Sequence, residues 1–124
     1  MPNESKPLFR PAAAITARAT AAVTGSRLVA PSGAYDGGNF PVTHCGDGAS
    51  PLGVASADIP SGQLGTLLRE GVIPVTAGAT VTAGQSLQSD AQGRVIPGTT
   101  GRTVGLAVAN GTTGLPTYVA LSIT

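Results

Sequence analysis

His44 and Cys45 are adjacent, and they are the residues of this sequence that most suggest chemistry, because an imidazole can activate a thiol for nucleophilic attack. Their segment, FPVTHC at residues 40–45, is predicted to be a strand. Neighbouring side chains of a strand project to opposite faces, so the imidazole and the thiol would not reach the same substrate atom. We therefore predict a histidine at a loop edge and a half-buried thiol, without a catalytic role.

The acidic residues show no pairing that would indicate general acid–base catalysis. They are scattered through predicted turns, at Glu4, Asp36, Asp47, Asp58, Glu70 and Asp90. The residues nearest to a possible metal site are His44, Cys45, Asp36 and Asp47. Their spacing matches no known ligand pattern, and the glycine-rich segments lack the motifs G-x-x-x-x-G-K-[ST] and G-x-G-x-x-G that bind phosphate. The sequence predicts no enzyme activity, no cofactor and no metal.

A four-residue motif, VTAG, occurs at residues 75–78 and again at residues 81–84. Only two residues separate the copies, so each glycine would end a short extended piece and turn the chain where a positive φ costs little. After the second copy, residues 85–96 predict a hairpin, since Asp90 and Gly93 occupy the first and fourth positions of a type I turn. The motif is interpreted as two corners of a β-fold.

Alternation of side chains predicts further strands at residues 15–24, 104–108 and 119–123, each burying one face. In the second of these, the side chains predicted to share one face are Val104, Leu106 and Val108. Residues 62–71, GQLGTLLREG, are short and bracketed by glycines, so they are predicted to be a strand rather than a helix.

The composition fits a small all-β fold. The chain has 124 residues with 18 glycines and 10 prolines, which interrupt it too often for helices of normal length. Val, Leu, Ile and Phe together number 28 and there is no Trp, so the core is thin and would gain stability from partner subunits. We predict one small domain, a sandwich or barrel of short, mostly antiparallel strands.

Two classes of partner are disfavoured. Residues 103–124 carry no charge, but their middle reads NGTTG at residues 110–114, which favours two strands and a hairpin over a membrane span. A net charge of +1 and four aromatic residues provide neither a basic patch nor a stacking surface for nucleic acid. Prolines near the N-terminus interrupt the apolar run that a secretion signal needs, so we expect a protein used without secretion.

The first twelve residues form a separate segment, rich in proline and mildly basic. Proline keeps such a piece extended, and its two large apolar side chains would find little core to enter. We predict an extended N-terminal arm at residues 1–12, joined to a β-rich domain at residues 13–124. The residues predicted to dock on a neighbouring molecule are Lys6, Leu8, Phe9 and Arg10. A loose chain end is the alternative interpretation.

Five segments of the chain form an ordered series. They are LGVA at 52–55, GVIPVTAGATVTAGQ at 71–85, DAQGRV at 90–95, VGLAV at 104–108 and YVALSI at 118–123. In this order they resemble the capsid decoration, or cement, proteins of tailed phages. The resemblance implies a small β-rich subunit, usually a homotrimer, that binds the outside of an icosahedral shell and reinforces joints between major capsid subunits. It also implies a virion protein without catalytic activity, present in the host cytoplasm during assembly. The arm predicted above from its own residues is then the candidate capsid contact.

Two other classes of β-protein have comparable segments. A carrier domain of the biotinyl or lipoyl kind has corners like TVTAGQSL at residues 80–87, but it requires a lysine on an exposed hairpin, and the sole lysine is Lys6. A β-rich adhesin or tail-fibre module is compatible with the sequence. The neighbouring gene would separate these classes, since a major capsid gene favours decoration and a fibre gene favours the fibre module.

Overall fold

The computed structural model describes residues 13–35, 37–98 and 100–123, which form ten short strands and no helix. The strands are β1 (Ala14–Ala19), β2 (Leu28–Pro31), β3 (Pro41–His44), β4 (Gly53–Ala55), β5 (Leu64–Leu68), β6 (Val72–Thr76), β7 (Ser86–Ser89), β8 (Val95–Pro97), β9 (Gly105–Ala107) and β10 (Pro116–Leu121). The predicted all-β class of short, mostly antiparallel strands is confirmed. Within these ranges there is no helix that could cross a membrane.

The first five strands close into a barrel with the order β1-β3-β2-β4-β5. Strand β1 closes it by pairing antiparallel with β5, from Ala14 opposite Leu68 to Arg18 opposite Leu64, and parallel with β3. The barrel interior is filled by Ile15, Ala17, Ala19, Val23, Val29, Val42, Ala55, Ile59 and Leu67. These are small and medium side chains because five strands enclose a narrow space.

The last five strands form a second sheet with the order β6-β10-β9-β7-β8. A parallel bridge between Ala77, just after β6, and Val95 on β8 brings the two ends of this sheet together. The sheet therefore curls around its own interior. That interior contains Val75, Ala77, Val81, Leu87, Val95, Val104, Ala107 and Val119, together with Leu28, Cys45 and Val54 from the barrel side.

Strands β2 and β4 separate the two interiors and are buried on both faces. Val29 and Ala55 belong to the barrel interior, whereas Leu28 and Val54 belong to the interior of the second sheet. The two strands pair with each other, with Leu28 opposite Val54. We call this two-strand layer the shared wall. Its apolar residues are consecutive rather than alternating because neither face meets water.

The β7–β8 hairpin is fixed to the shared wall through its turn. The backbone amide of Leu28 donates a 2.7 Å hydrogen bond to the carbonyl of Gly93, whose φ is 76°. Asp90 holds the turn: its Oδ1 accepts from the backbone amides of Gln92 and Arg94 at 2.8 and 2.9 Å. Its Oδ2 accepts from Arg94 Nε at 2.9 Å. The hairpin predicted from this turn is confirmed.

Strand β1 is shorter than predicted for residues 15–24. It ends at Ala19, and Ala21, which was predicted to face inward, is exposed. Inward packing resumes at Val23, which forms an isolated bridge with Ile59. The alternation predicted too long a strand. Exposing an alanine costs little free energy, so a run of alanines does not indicate where a strand ends.

The two glycines of the VTAG repeat have different roles. Gly84 has the predicted positive φ, at 93°, whereas Gly78 does not. Gly78 instead leaves room for the carboxylate of Asp90, with which an added Cβ would collide. The second copy is therefore a corner set by backbone conformation, and the first is a site of close packing.

The charge-free C-terminal segment forms the predicted pair of strands, since β9 and β10 pair antiparallel with Ala107 opposite Val119. The connecting turn includes Asn110, whose Oδ1 accepts from the backbone amide of Ala83 at 2.9 Å, and Gly114, with a φ of 85°. Residues 62–71 contain β5, as predicted.

Replacing Gly93 by Ala should lower the free energy of unfolding by about 3 kcal/mol. The positive φ alone costs an alanine about 1 kcal/mol, and the new Cβ would also collide with the carbonyl oxygen of Leu28. The matched control is Gly62→Ala, at a φ of 81° with open space around an added Cβ, which should cost about 1 kcal/mol. Urea unfolding measures both losses. Equal losses would contradict the docking of this turn on the shared wall.

Candidate functional site

His44 and Cys45 lie in different surroundings, as predicted for neighbours on a strand. His44 is half-buried at the end of β3, and its Nε2 accepts a hydrogen bond from the backbone amide of Thr24 at 3.0 Å. Cys45 is fully buried, with its Sγ 3.5 Å from the carbonyl oxygen of Ala49. The thiol is thus more buried than predicted, because the second sheet covers this side of the barrel.

The protonation states of both side chains suit structural roles. Burial raises the pKa of the Cys45 thiol, which favours the unreactive protonated form. Partial burial, and secondarily the charge of Arg27, lowers the pKa of His44. The neutral imidazole is the form that can accept the hydrogen bond from Thr24. The two side chains are not arranged as a base and its nucleophile.

Across residues 13–35, 37–98 and 100–123, no group of three or more His, Cys, Asp or Glu side chains is placed to hold a metal ion, and no cavity suits a small molecule. Asp36, one of the residues considered for a metal site, lies outside these ranges. Two of the described carboxylates have structural partners. Asp58 Oδ1 accepts from the backbone amide of Gly25 at 2.8 Å, and Asp90 organises the β7–β8 turn.

The residues predicted as contacts in the arm, Lys6, Leu8, Phe9 and Arg10, lie outside the described residues. The structure does place Ala13, the residue that follows the predicted arm. The carbonyl of Ala13 accepts a 2.9 Å hydrogen bond from the backbone amide of Arg69, in the connection between β5 and β6. Ala13 therefore lies at the junction of the barrel and the second sheet.

The second sheet carries a group of exposed apolar side chains on three adjacent strands. They are Val72 and Pro74 on β6, Tyr118 on β10, Leu106 on β9 and Val108 just after β9, and we call them the outer sheet face. Val72, Leu106, Val108 and Tyr118 are 57, 46, 45 and 55% exposed. The strand register aligns them, because Val72 and Leu106 both lie opposite Ala120. Pro74 lies opposite Tyr118, so the five side chains form one continuous surface.

Leu106 and Val108 point outward, contrary to the prediction that they lie on the buried side of their strand. The inward positions of β9 are Gly105 and Ala107. A Cβ on Gly105 would collide with the carbonyl oxygen of Ala120, so the close packing of β9 against β10 requires a glycine there. The sheet therefore buries the small residues of this strand and exposes the large ones.

The outer sheet face was missed by reasoning from the sequence. The available signal was the charge-free run at residues 103–124, which holds more large apolar residues than the inner faces of two short strands can bury. Such an excess indicates an apolar surface outside the core. The sequence does not show which face of each strand points to solvent, because packing between strands decides it. The residues on this surface therefore could not be identified from the sequence.

The fold matches that of a solved component of a phage head. The crystal structure of the N base of head fiber gp8.5 in bacteriophage phi29 aligns with a TM-score of 0.76 and 26% sequence identity, over 88% of this chain and 92% of that chain. The comparison with curated proteins finds no match. The similarity places this all-β chain in the class of bacteriophage structural proteins.

The family model for phage cement proteins matches residues 9–119. Because this match covers most of the chain, the chain belongs to the phage cement protein family and is a component of the virion. The resemblance drawn from the five sequence segments is confirmed. The match begins at Phe9, so the family pattern includes the last residues of the predicted arm.

The buried thiol of Cys45 should react with a thiol reagent about a hundredfold or more slowly in the folded protein than in urea, because reaction requires local opening. The matched control is Ser50→Cys in a Cys45→Ala background, since Ser50 is exposed and its thiol should react at similar rates in both states. The reagent is an aromatic disulfide, and the reaction rate is measured from the absorbance of the coloured thiolate that it releases. Equal rates for Cys45 in the two states would contradict its burial.

Acidification from pH 7.5 to pH 5.5 should destabilise the fold through His44. The folded-state pKa of His44 is below its ordinary value of about 6.5, so the unfolded chain binds more protons than the folded protein in this window. The free energy of unfolding therefore decreases as the pH is lowered. Urea unfolding at the two pH values should show a smaller loss for His44→Gln than for the unsubstituted protein. The same loss in both proteins would rule out His44 as the source.

Proposed function

We propose that this protein binds the outer surface of an icosahedral phage capsid and reinforces contacts between major capsid subunits. The observation that carries the proposal is the cement-family match over residues 9–119, which includes the β-fold and the end of the arm. Its likeness to the base of the phi29 head fiber supports a position on the head. The protein acts on the exterior of the virion, after synthesis in the host cytoplasm.

The construction of the fold suits a static mechanical role. The two interiors share strands β2 and β4, so a deformation of one interior disturbs the packing of the other. The closed barrel has every strand paired on both sides, which protects it from pairing with other chains. The described residues contain no cleft that would open or close around a ligand. A rigid unit of this kind can transmit load between the capsid subunits it contacts.

The protein acts as a homotrimer in this proposal. The buried apolar residues of the described chain include no aromatic side chain, whereas Tyr35 and Tyr118 are more than half exposed. A thin core combined with large exposed side chains is typical of a subunit that completes its burial against neighbours. Three copies around one axis would also present three arms to the shell.

The arm supplies the capsid contacts in this proposal, through Lys6, Leu8, Phe9 and Arg10. Leu8 and Phe9 would each contribute about 1.5 to 3 kcal/mol if their side chains enter pockets on the major capsid protein. Lys6 and Arg10 would add an attraction to an acidic shell surface that weakens with salt. The family match supports this role because it extends into the arm.

A second candidate function follows from the structural comparison: a base that attaches a fibre to the phage head. The matched phi29 structure is the N base of a head fiber. Such a base also docks on the head, so this candidate differs from the first by requiring a fibre attached to this chain. The carrier-domain alternative is not retained, because the sequence has no lysine other than Lys6 to receive a prosthetic group.

Empty capsids of the phage that encodes this protein test the main proposal. Purified protein should co-sediment with them until its sites are saturated, and the decorated shells should withstand heating by several degrees more than undecorated ones. An unrelated small β-protein at the same concentration is the control. Cryo-electron microscopy of the decorated particle then locates the contacts. If undecorated and saturated shells disassemble at the same temperature, the reinforcing role is refuted.

Deleting residues 2–11 should weaken decoration of empty capsids by about tenfold or more, because the apolar contacts of Leu8 and Phe9 are lost. Circular dichroism should show an intact β-fold, since the ten described strands all lie between Ala14 and Leu121. The measurement is a co-sedimentation titration against the full chain.

The double substitution Lys6→Ala and Arg10→Ala is the matched control for the deletion. It should cause a smaller loss of capsid affinity than the deletion, and this loss should diminish as the salt concentration rises. Salt screens the attraction of exposed charges but leaves the apolar contacts of Leu8 and Phe9. If the truncated protein decorates shells as tightly as the full chain, the arm is a loose chain end and the capsid contacts belong to the β-fold.

A further inference from the structure

We propose that Asn110 and Gly111 form a deamidation site that the fold keeps unreactive, and that the second VTAG copy, at residues 81–84, restrains it. The site lies in the connection between β9 and β10. The inference concerns the chemical lifetime of the protein and does not depend on the capsid contacts proposed above.

An asparagine followed by a glycine is prone to spontaneous deamidation, because glycine has no Cβ to hinder the approach of its backbone nitrogen. The nitrogen of Gly111 attacks the side-chain Cγ of Asn110 and loses its proton. The new C–N bond closes a succinimide ring, and the Cγ–Nδ2 bond breaks to release ammonia. Water then opens the ring to give aspartate or isoaspartate. Asn110 is exposed, so water and hydroxide reach it.

Both reacting groups are held by backbone atoms of the second VTAG copy. The amide of Gly111, which supplies the nucleophile, donates a 2.8 Å hydrogen bond to the carbonyl of Val81, and the amide of Val81 donates back at 3.0 Å. The Oδ1 of Asn110 accepts from the amide of Ala83 at 2.9 Å. Ring closure must bring the Gly111 nitrogen onto Cγ of Asn110 with its proton removed, so the hydrogen bond to Val81 has to break first.

A type II turn at residues 82–85 positions the amide that binds Asn110. Its third residue, Gly84, has a φ of 93°, and the amide of its fourth residue donates to the carbonyl of its first at 3.1 Å. Ala83, at the second position, does not have a positive φ, as this turn type requires. The amide of Gly84 also donates to the carbonyl of Ala107 at 2.7 Å, so the turn is bound to the strand that leads to Asn110.

The packing of the fold explains why this labile dipeptide is present. A Cβ on Gly111 would collide with the side chain of Thr117, which is buried on β10. The hydroxyl of Thr117 donates to the carbonyl of Ala109 at 3.2 Å, which holds that side chain in place. Asn110 supplies the acceptor for Ala83. The hydrogen bonds that the two residues make in these structural roles also restrain their reaction.

Deamidation would damage this part of the fold because isoaspartate alters the backbone. It moves the side-chain carbonyl into the main chain and so lengthens the chain between Asn110 and Gly111. The bridge between Gly111 and Val81 and the register of β9 with β10 would then no longer be met together. A molecule that reacts while open therefore cannot close into the same turn, and in a virion a damaged copy is not replaced by new synthesis.

The test measures deamidation of Asn110 in the full chain at mildly alkaline pH, with liquid chromatography and mass spectrometry separating the asparagine, aspartate and isoaspartate forms. The chain is incubated folded and, in parallel, unfolded in guanidinium chloride. A synthetic peptide of residues 107–114 gives the rate of the same local sequence without the fold. We expect the folded chain to react about tenfold or more slowly than either reference, because reaction requires local opening.

Ala83→Pro tests the role of the second VTAG copy. It removes the N–H that binds Asn110, and a type II turn accepts proline at this position. The matched control is Ser61→Pro, at the second position of a turn between β4 and β5 in which Gly62 has a φ of 81° and the fourth residue donates to the first at 3.0 Å. Ala83→Pro, folded by circular dichroism, should deamidate about three- to tenfold faster than the unsubstituted protein, because one hydrogen bond that opposes opening is lost. Ser61→Pro should leave the rate unchanged.

Hydrogen exchange of the Gly111 amide provides a second measurement, in case Ala83→Pro prevents folding. In guanidinium chloride below the unfolding transition, exchange and deamidation of the unsubstituted protein should accelerate by the same factor, since both require release of this amide. Folded and unfolded chains that react at the same rate, or deamidation that stays constant while exchange accelerates, would overturn the inference. A folded Ala83→Pro variant that reacts no faster than the unsubstituted protein, or an equal acceleration by Ser61→Pro, would overturn it as well.

Discussion

The burial of β2 and β4 on both faces is the constraint on which the rest of the structure depends. Each strand sends one side chain into the barrel and the next into the second sheet, so the two halves have one wall in common. Leu28 shows how much converges there. Its side chain packs in the second interior, its amide bonds to Gly93 in the β7–β8 turn, and its carbonyl accepts from the amide of Cys45. Leu28 therefore links the barrel, the hairpin and the end of β3.

Close packing within the second sheet, and between its β7–β8 turn and this wall, explains why small residues occupy so many inner positions. Gly105 is pressed against β10, Gly78 against Asp90 and Gly93 against Leu28, and in each case a Cβ would collide with its neighbour. When strands approach this closely, large side chains can be placed only on the outside. The thin core and the apolar outer sheet face are thus two results of the same packing, because large apolar side chains that do not fit in the interior lie on the surface.

Membership of the phage cement family assigns this fold to the virion. The structure suits a protein that works by holding position: no catalytic group is assembled among the described residues, His44 is held neutral by burial, and Cys45 is sealed in the core. In the function we propose, the arm contacts the shell and the protein acts as a trimer. Joining three copies would allow three weak arms to bind together, because linked sites gain from a high effective concentration.

The sequence by itself determined the all-β class, the hairpin around Asp90 and Gly93, the strand pair joined by the NGTTG turn, and the phage family. These features depend on local turn chemistry and on the order of short motifs, both of which are present in a single chain segment. It also predicted that His44 and Cys45 would not act together, from the alternation of a strand alone. Only the tertiary structure decided that Leu106 faces outward, that Gly78 serves packing rather than a turn, and that β2 and β4 are covered on two sides. Alternation shows that the two faces of a strand differ, but the inner face is chosen by the space that neighbouring strands leave, and that space is set by residues distant in sequence.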